Sequence, residues 1–339
     1  MIFYLKVFAL SLFFSILFVP FVRYISLKLN IVDLPNEIKT HKGSIPLFGG
    51  IAIFISFVIT LFIVRFSTSF PTGTLREIRY ILLGSIFILI IGLIDDFRKP
   101  KGIPAGVKFL LEIIIAVFMI TRGFSINFIY PQHFAWILSV IWIVGITNAF
   151  NIIDIMDGLS SSQVFIASLA FLFISIPSEA IYVNVLSATL AGSVCGFIPY
   201  NMSRKFKIFL GDSGSLFMGF LISIISLGVG YSDNNPLAVY VPILILSIPI
   251  FDTIYVSIMR IKSGISPFKG TKDHFALRFE NMGFDRKKIV ISTFIFSLVI
   301  SIISFIITRV GFEISLFLYF FIFVFFIFIA IIISKIKMS

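Results

Sequence analysis

Long apolar runs separated by short polar loops organise the chain. Residues 2–22, IFYLKVFALSLFFSILFVPFV, carry a single charge, Lys6. A run of about 18 to 23 such residues, wound as a helix, crosses a hydrocarbon core of roughly 30 Å. Eleven spans are predicted on this pattern: 2–22, 47–64, 80–94, 108–121, 135–150, 163–177, 180–198, 214–230, 238–258, 289–307 and 313–333. The third, fourth and fifth are short and predict tilted or partly embedded helices. The loops are short, and the sequence shows no internal repeat or low-complexity tract. The expectation is therefore an all-α polytopic membrane protein, with residues 1–339 forming one membrane-embedded domain.

Composition agrees: 59% of the 339 residues are hydrophobic and 13% are charged, with a mean hydropathy of +1.11. Such values exclude an ordinary soluble domain. The first run ends at Arg23 without a small-residue cleavage pattern, which predicts a retained anchor. A single cysteine, Cys195, lies inside a predicted span, so no disulfide framework is expected.

The net charge of +11 is a matter of topology. Sorted by alternate loops, 21 of the 27 Lys and Arg residues fall on one side of the membrane and six on the other. The rich side is cytoplasmic by the positive-inside rule, which places the N-terminus outside and the C-terminus inside. No nucleic-acid partner is needed to explain the basic excess.

The acids follow the same side. GLIDDF ends the third span, NAFNIIDIMDGL ends the fifth, and FLGDSGS opens the eighth, so Asp95, Asp96, Asp154, Asp157 and Asp212 all emerge at cytoplasmic helix mouths. Any one of them alone reads equally well as a helix cap or a solvated charge. Five together repel one another in a low dielectric unless a cation neutralises them, and hard oxygen ligands beside phosphate select Mg²⁺ or Mn²⁺. Asn151, Asp154 and Asp157 step by three, which predicts one face of a continuing helix that Gly158 ends. In GDSGS, Gly211 permits a close backbone approach, and the amides around Ser213 suggest an anion site at a helix N-terminus. His274 lies in the most polar basic-side loop beside Lys272, Asp273 and Arg278, a cluster suited to phosphate oxygens. His41 belongs to the basic-side turn HKGSIPLFGG, whereas His133 faces the other side and reads as structural.

Taken in order, HKGSIPLFGG, GLIDDF, NAFNIIDIMDGL, FLGDSGSL and DHFALR resemble the polyprenyl-phosphate N-acetylhexosamine-1-phosphate transferases. That family includes the enzymes that start O-antigen, enterobacterial common antigen and teichoic-acid linkage synthesis, and the phospho-MurNAc-pentapeptide translocase. The resemblance implies transfer of a sugar 1-phosphate from a UDP-N-acetylhexosamine to undecaprenyl phosphate with release of UMP, at the cytoplasmic face of the inner membrane. It implies Asp212 as a ligand of Mg²⁺ (or Mn²⁺), with Asp154 in the same acidic group, and Phe209 as a stacking platform for uracil. Asn151 and Asp157 then belong to the nucleoside and diphosphate site, with Gly211 and Ser213 beside them. Asp95 and Asp96 match the paired acids near the lipid phosphate, one a candidate general base. Lys108 matches a basic residue of that loop, and His274 one histidine of the last-loop motif. A homodimer is left open.

Two departures narrow the substrate. LFGG replaces the Met-Gly-Gly turn of the translocase branch, and DHFALR lacks its several histidines, which disfavours peptide-bearing MurNAc. Phe275, Ala276 and Leu277 also stand where the UDP-GlcNAc branch often has histidines, which leaves the amino sugar open. Two other classes fit the sequence less well. A CDP-alcohol phosphotransferase motif begins at Asp154 but fails at Ser161 and Ser162. A cation-coupled transporter needs acids near the midplane. Only Glu112 and Asp252 lie well inside spans, with Glu179 in a short outer turn.

Overall fold

The computed structural model describes residues 1–33, 44–99, 101–178, 180–231 and 235–336. His41 and Glu179 lie outside the described residues. The helices are α1 (Ile2–Lys28), α2 (Gly49–Ser67), α3 (Thr74–Phe97), α4 (Ala105–Thr121), α5 (Gln132–Ile152), α6 (Leu159–Ser175), α7 (Ile181–Asn201) and α8 (Gly211–Gly228). They continue with α9 (Val241–Ile245), α10 (Ser247–Lys262), α11 (Phe275–Asn281), α12 (Arg286–Ile307) and α13 (Phe312–Ser334). Among the described residues, nine helices are long and apolar enough to cross a membrane singly. The pair comprising residues 236–245 and α10 passes only as one broken span, bent by 68°. The fourth predicted span is α4, whose 17 residues are about 25 Å long.

The break in the ninth predicted span has a local cause. Pro249 lacks an N–H and its ring crowds the carbonyl four residues back, that of Ile245, where α9 stops. One feature had no hydropathy signal. Val32–Asp33 (β1) and Ile45–Pro46 (β2) form a two-stranded antiparallel ribbon, pairing Val32 with Pro46 and Asp33 with Ile45.

Helix α8 is the most enclosed span and packs against α3, α5 and α2. Its neighbours come close because small residues face each other: a Cβ on Gly50 of α2 would lie 2.2 Å from the Gly214 Cα of α8. Helix α1 packs on α7 through Ser11 and Ser15, whose hydroxyls donate to the carbonyls of Thr189 and Ser193 at 2.7 and 2.6 Å. One buried apolar cluster runs from Val7 in α1 to Ile333 in α13. The outer faces of α1 and α13 expose Phe, Leu and Ile side chains, as helices bathed in lipid do.

Candidate active site

The GDSGS segment begins α8, and its local conformation depends on its first glycine. Gly211 has a φ of +76°, a left-handed conformation that side-chain-bearing residues avoid, and an added Cβ would lie 2.6 Å from Asp96 Oδ2. The Asp96 carboxylate, at the end of α3, accepts from the Asp212 N–H (2.9 Å), the Ser213 N–H (3.0 Å) and the Ser213 hydroxyl (2.8 Å). These amides are the unpaired donors of a helix N-terminus, and a carboxylate placed there also meets the positive end of the helix dipole. The helix start read from sequence as an anion site thus holds the protein's own carboxylate, and Ser213 is wholly buried beneath it. One turn back on α3, Gly92 allows this approach: a Cβ there would lie 2.4 Å from Ser213 Cα.

With the backbone of Asp212 held this way, its carboxylate stands between two ammonium groups. Lys99 Nζ lies 3.1 Å from Oδ1 and Lys108 Nζ lies 3.3 Å from Oδ2. Lys99 also reaches Asp96 at 2.7 Å, and Lys108 reaches Asp95 at 3.0 Å. Three acids and two lysines thus form one continuous chain of charge. Burial alone would lower the pKa of Lys99, but the carboxylates of Asp212 and Asp96 outweigh it and raise that pKa above the ordinary lysine range. Asp95 is further fixed by the Ile103 N–H, which donates to Oδ1 at 2.5 Å.

The fifth predicted span supplies the facing wall, with a difference from its sequence reading. Helix α5 stops at Ile152, residues 153–158 are turns, and Gly158 (φ +81°) opens α6. Asn151, Asp154 and Asp157 therefore do not share one helical face. The Asn201 side chain accounts for the turn: its Oδ1 accepts the Gly158 N–H at 2.6 Å while its Nδ2 donates to the Ile208 carbonyl at 2.9 Å. This ties the loop after α5 to the segment before α8. Asn151 accepts the Ser215 hydroxyl at 2.7 Å and joins α5 to α8. Asp157 pairs with Lys207 Nζ at 2.5 Å. Asp154 is half-buried, and that burial, reinforced by the nearby Asp212 charge, pushes its carboxyl up to about 8 despite the opposing effect of Lys99.

These elements enclose a cleft of about 680 Å³. Asp212, Asp154, Asp157, Lys99, Lys207, Phe209 and Gly211 line one part of it, and Asp33 of β1 contributes another carboxylate. Thr271, Lys272, Leu277, Glu280, Asn281 and Arg286 also line it, and there Arg286 Nε meets Glu280 Oε1 at 2.6 Å. Phe209 is set by main-chain bonds on both sides: its N–H donates to the Pro46 carbonyl at 2.9 Å, and its carbonyl accepts the Gly49 N–H at 2.9 Å.

His274 is not in that wall. It is buried, with Nδ1 lying 2.7 Å from Asp252 Oδ2, and Asp252 Oδ1 accepts the Phe275 N–H at 3.0 Å. Arg278, expected beside phosphate, donates instead to the Ile333 and Ile336 carbonyls at the end of α13 and to Asp273. The intramembrane acids have protein partners of their own, since Glu112 accepts a hydrogen bond from Asn148. Lys99, Lys207 and Asn201 were not singled out from sequence. Lys99 and Lys207 looked like orientation charges, and nothing local marks Asn201.

Among the described residues, no three His, Cys, Asp or Glu side chains are grouped as a cage for a metal. Mg²⁺ rarely uses such a cage: it keeps waters and takes one or two carboxylates together with substrate phosphates. Asp212 and Asp154, both facing the cleft, fit that donor set.

Residues 78–230 match the family model for glycosyl transferase family 4. The chain is 32% identical over 322 residues to a probable undecaprenyl-phosphate N-acetylglucosaminyl 1-phosphate transferase of Bacillus subtilis, covering 92% of this chain and 87% of the relative. It is 27% identical over 299 residues to the undecaprenyl-phosphate alpha-N-acetylglucosaminyl 1-phosphate transferase of Escherichia coli K12, covering 85% and 80% of the two chains. A decaprenyl-phosphate N-acetylglucosaminephosphotransferase of Mycobacterium tuberculosis is 28% identical over 302 residues, covering 80% of this chain and 74% of its own.

Proposed function

The chain belongs to glycosyl transferase family 4, and on that premise we propose that it transfers N-acetylglucosamine 1-phosphate from its UDP conjugate to undecaprenyl phosphate. An oxygen of the lipid phosphate attacks the sugar-bearing phosphorus, the bond to the UMP phosphate breaks, and UMP leaves. The product is a lipid-linked pyrophosphate sugar, the starting unit of a cell-surface polysaccharide. The excess of Lys and Arg in the basic-side loops supports assigning the cleft to the cytoplasmic face of the inner membrane.

The observation that carries this reading is the Asp212 carboxylate, set between Lys99 and Lys108 in the cleft wall. Phosphoryl transfer needs positioning and charge neutralisation more than a strong nucleophile. Phe209 is assigned to the uracil ring and Asp157 to the nucleotide side. Asp95 and Lys108 are assigned to the lipid phosphate, where the ammonium steadies the attacking anion. Asp96, Ser213 and Asn151 are assigned to positioning, because their polar atoms are committed to joining α3, α5 and α8. Asp212 and Asp154 are the residues to hold Mg²⁺, which when bound supplies neutralisation of the diphosphate charge. Asp252, through His274, holds the last cytoplasmic loop against α10.

Purified protein in detergent with Mg²⁺, undecaprenyl phosphate and a panel of UDP-N-acetyl sugars tests the reading through UMP release. Release is expected with UDP-N-acetylglucosamine. Release only with UDP-MurNAc-pentapeptide, or with no nucleotide sugar at all, overturns it.

A further inference from the structure

Lys207 lies two residues before the aromatic ring assigned to the base, and its ammonium is engaged twice. It pairs with Asp157 at 2.5 Å, and it lies 5.2 Å from the centroid of the Phe209 ring. A cation within about 6 Å of a ring centroid sits on the ring face, the same position a stacked base takes. Lys207, Asp157 and Phe209 all line the cleft. A base stacked on that face takes the place the ammonium occupies.

The backbone beneath this lysine is fixed while its side chain stays partly exposed. Arg23 of α1 donates from Nε to the Lys207 carbonyl at 3.1 Å, and Asn201 holds the carbonyl of the next residue, Ile208. The ammonium stands at the end of a long stem on an anchored backbone. Among the described residues its side-chain anion partner is Asp157, itself about a third exposed, so solvent screens the pair and weakens it. A diphosphate oxyanion held near Asp212, which lines the same cleft, offers a stronger, charge-assisted partner.

From this geometry we propose that Lys207 is a nucleotide-binding residue that changes partners: it covers Phe209 and neutralises Asp157 in the empty cleft, and moves onto a diphosphate oxygen when the base takes the ring. The proposal rests on the nucleotide reading given above and adds to it the residue that reads the diphosphate. The exchange also leaves the Asp157 carboxylate free to accept from the ribose or base.

Calorimetric titration of the purified full-length protein with UDP and Mg²⁺, and separately with uridine, tests it in wild type, Lys207→Met and Lys207→Arg. Lys207→Met is expected to weaken UDP binding about ten- to hundredfold, as loss of a charge-assisted bond does, and to leave uridine binding unchanged or tighter. Lys207→Arg is expected to restore most of the UDP affinity. In turnover, KM for the nucleotide sugar rises while KM for the lipid phosphate holds. Undiminished UDP binding by Lys207→Met overturns the proposal, and so does an equal loss of UDP and uridine, which is the mark of a residue that only supports the loops. Absence of UDP binding in the wild type itself overturns the nucleotide reading instead.

Discussion

Asp96 and Ser213 are joined twice through a single carboxylate oxygen: both the N–H and the hydroxyl of Ser213 donate to Asp96 Oδ2, at 3.0 and 2.8 Å. An acid at the end of α3 thereby fills the N-terminus of α8 and sets the direction in which Asp212 faces. Replacement of Asp96 by Ala strands these buried donors, each costing about 1 to 3 kcal/mol. The expected result is a clearly lower thermal midpoint in detergent together with loss of UMP release. Asp154→Ala, which strands no donor of this helix, is expected to keep its midpoint.

Asp212→Asn retains size and shape but removes the charge that two lysines face. Lys99 keeps Asp96 and Lys108 keeps Asp95 as partners, so the fold is expected to survive. Turnover is expected to fall by at least about 100-fold, the usual loss for a group that organises charge at the transition state. UMP release beside a monodisperse gel-filtration profile checks both halves. Near-normal release removes Asp212 from the metal site.

Asp154 carries the pH dependence. Its carboxyl is pushed up to about 8, so the metal-free protein holds a proton there at neutral pH, and binding a cation must expel it. The sign follows: apparent Mg²⁺ affinity strengthens as pH rises toward 8 and weakens below it, by about tenfold from pH 7 to pH 6. Titration of Mg²⁺ against the protein with UDP-N-acetylglucosamine, whose diphosphate has no group titrating in that range, reads this directly. Asp154→Asn is expected to bind more weakly and with a flat pH profile.

Phe209 and Asp95 separate the two half-sites. Phe209→Ala is expected to cost about 1 to 3 kcal/mol of UDP binding, the usual worth of a stacked base. Asp95→Asn is expected to bind UDP normally while using lipid phosphate poorly, since Asp95 faces Lys108 and not the wall that carries Phe209. Titration of both variants with UDP and Mg²⁺ decides: normal binding by Phe209→Ala alongside lost binding by Asp95→Asn reverses the assignment.

Hydropathy and charge are properties of residues in a row, and what depends on them was legible in the chain. Among the described residues, nine of the eleven apolar runs became helices long enough to cross a membrane singly, a tenth is broken where Pro249 forbids continuity, and the fourth became the shorter α4. The basic loops placed the acids on one face, and the ordered motifs pointed to the family that the comparisons also identify. The partners of those acids were not legible, because they depend on which helices cross and how closely. Asp95 and Asp96 are adjacent in sequence, yet one pairs with Lys108 and the other fills a helix N-terminus, a division that follows from Gly92 meeting Ser213. The step of three from Asn151 to Asp157 suggested a helix, but Asn201, some 40 residues away, holds Gly158 and ends it early. Nor was it legible that Asp252, buried on α10, holds the Nδ1 side of the His274 ring. Local pattern determines which segments enter the bilayer and where the charges surface. Only the tertiary crossing of small-residue contacts decides which charges meet, because a carboxylate in a low dielectric takes the nearest donor that the packing brings to it.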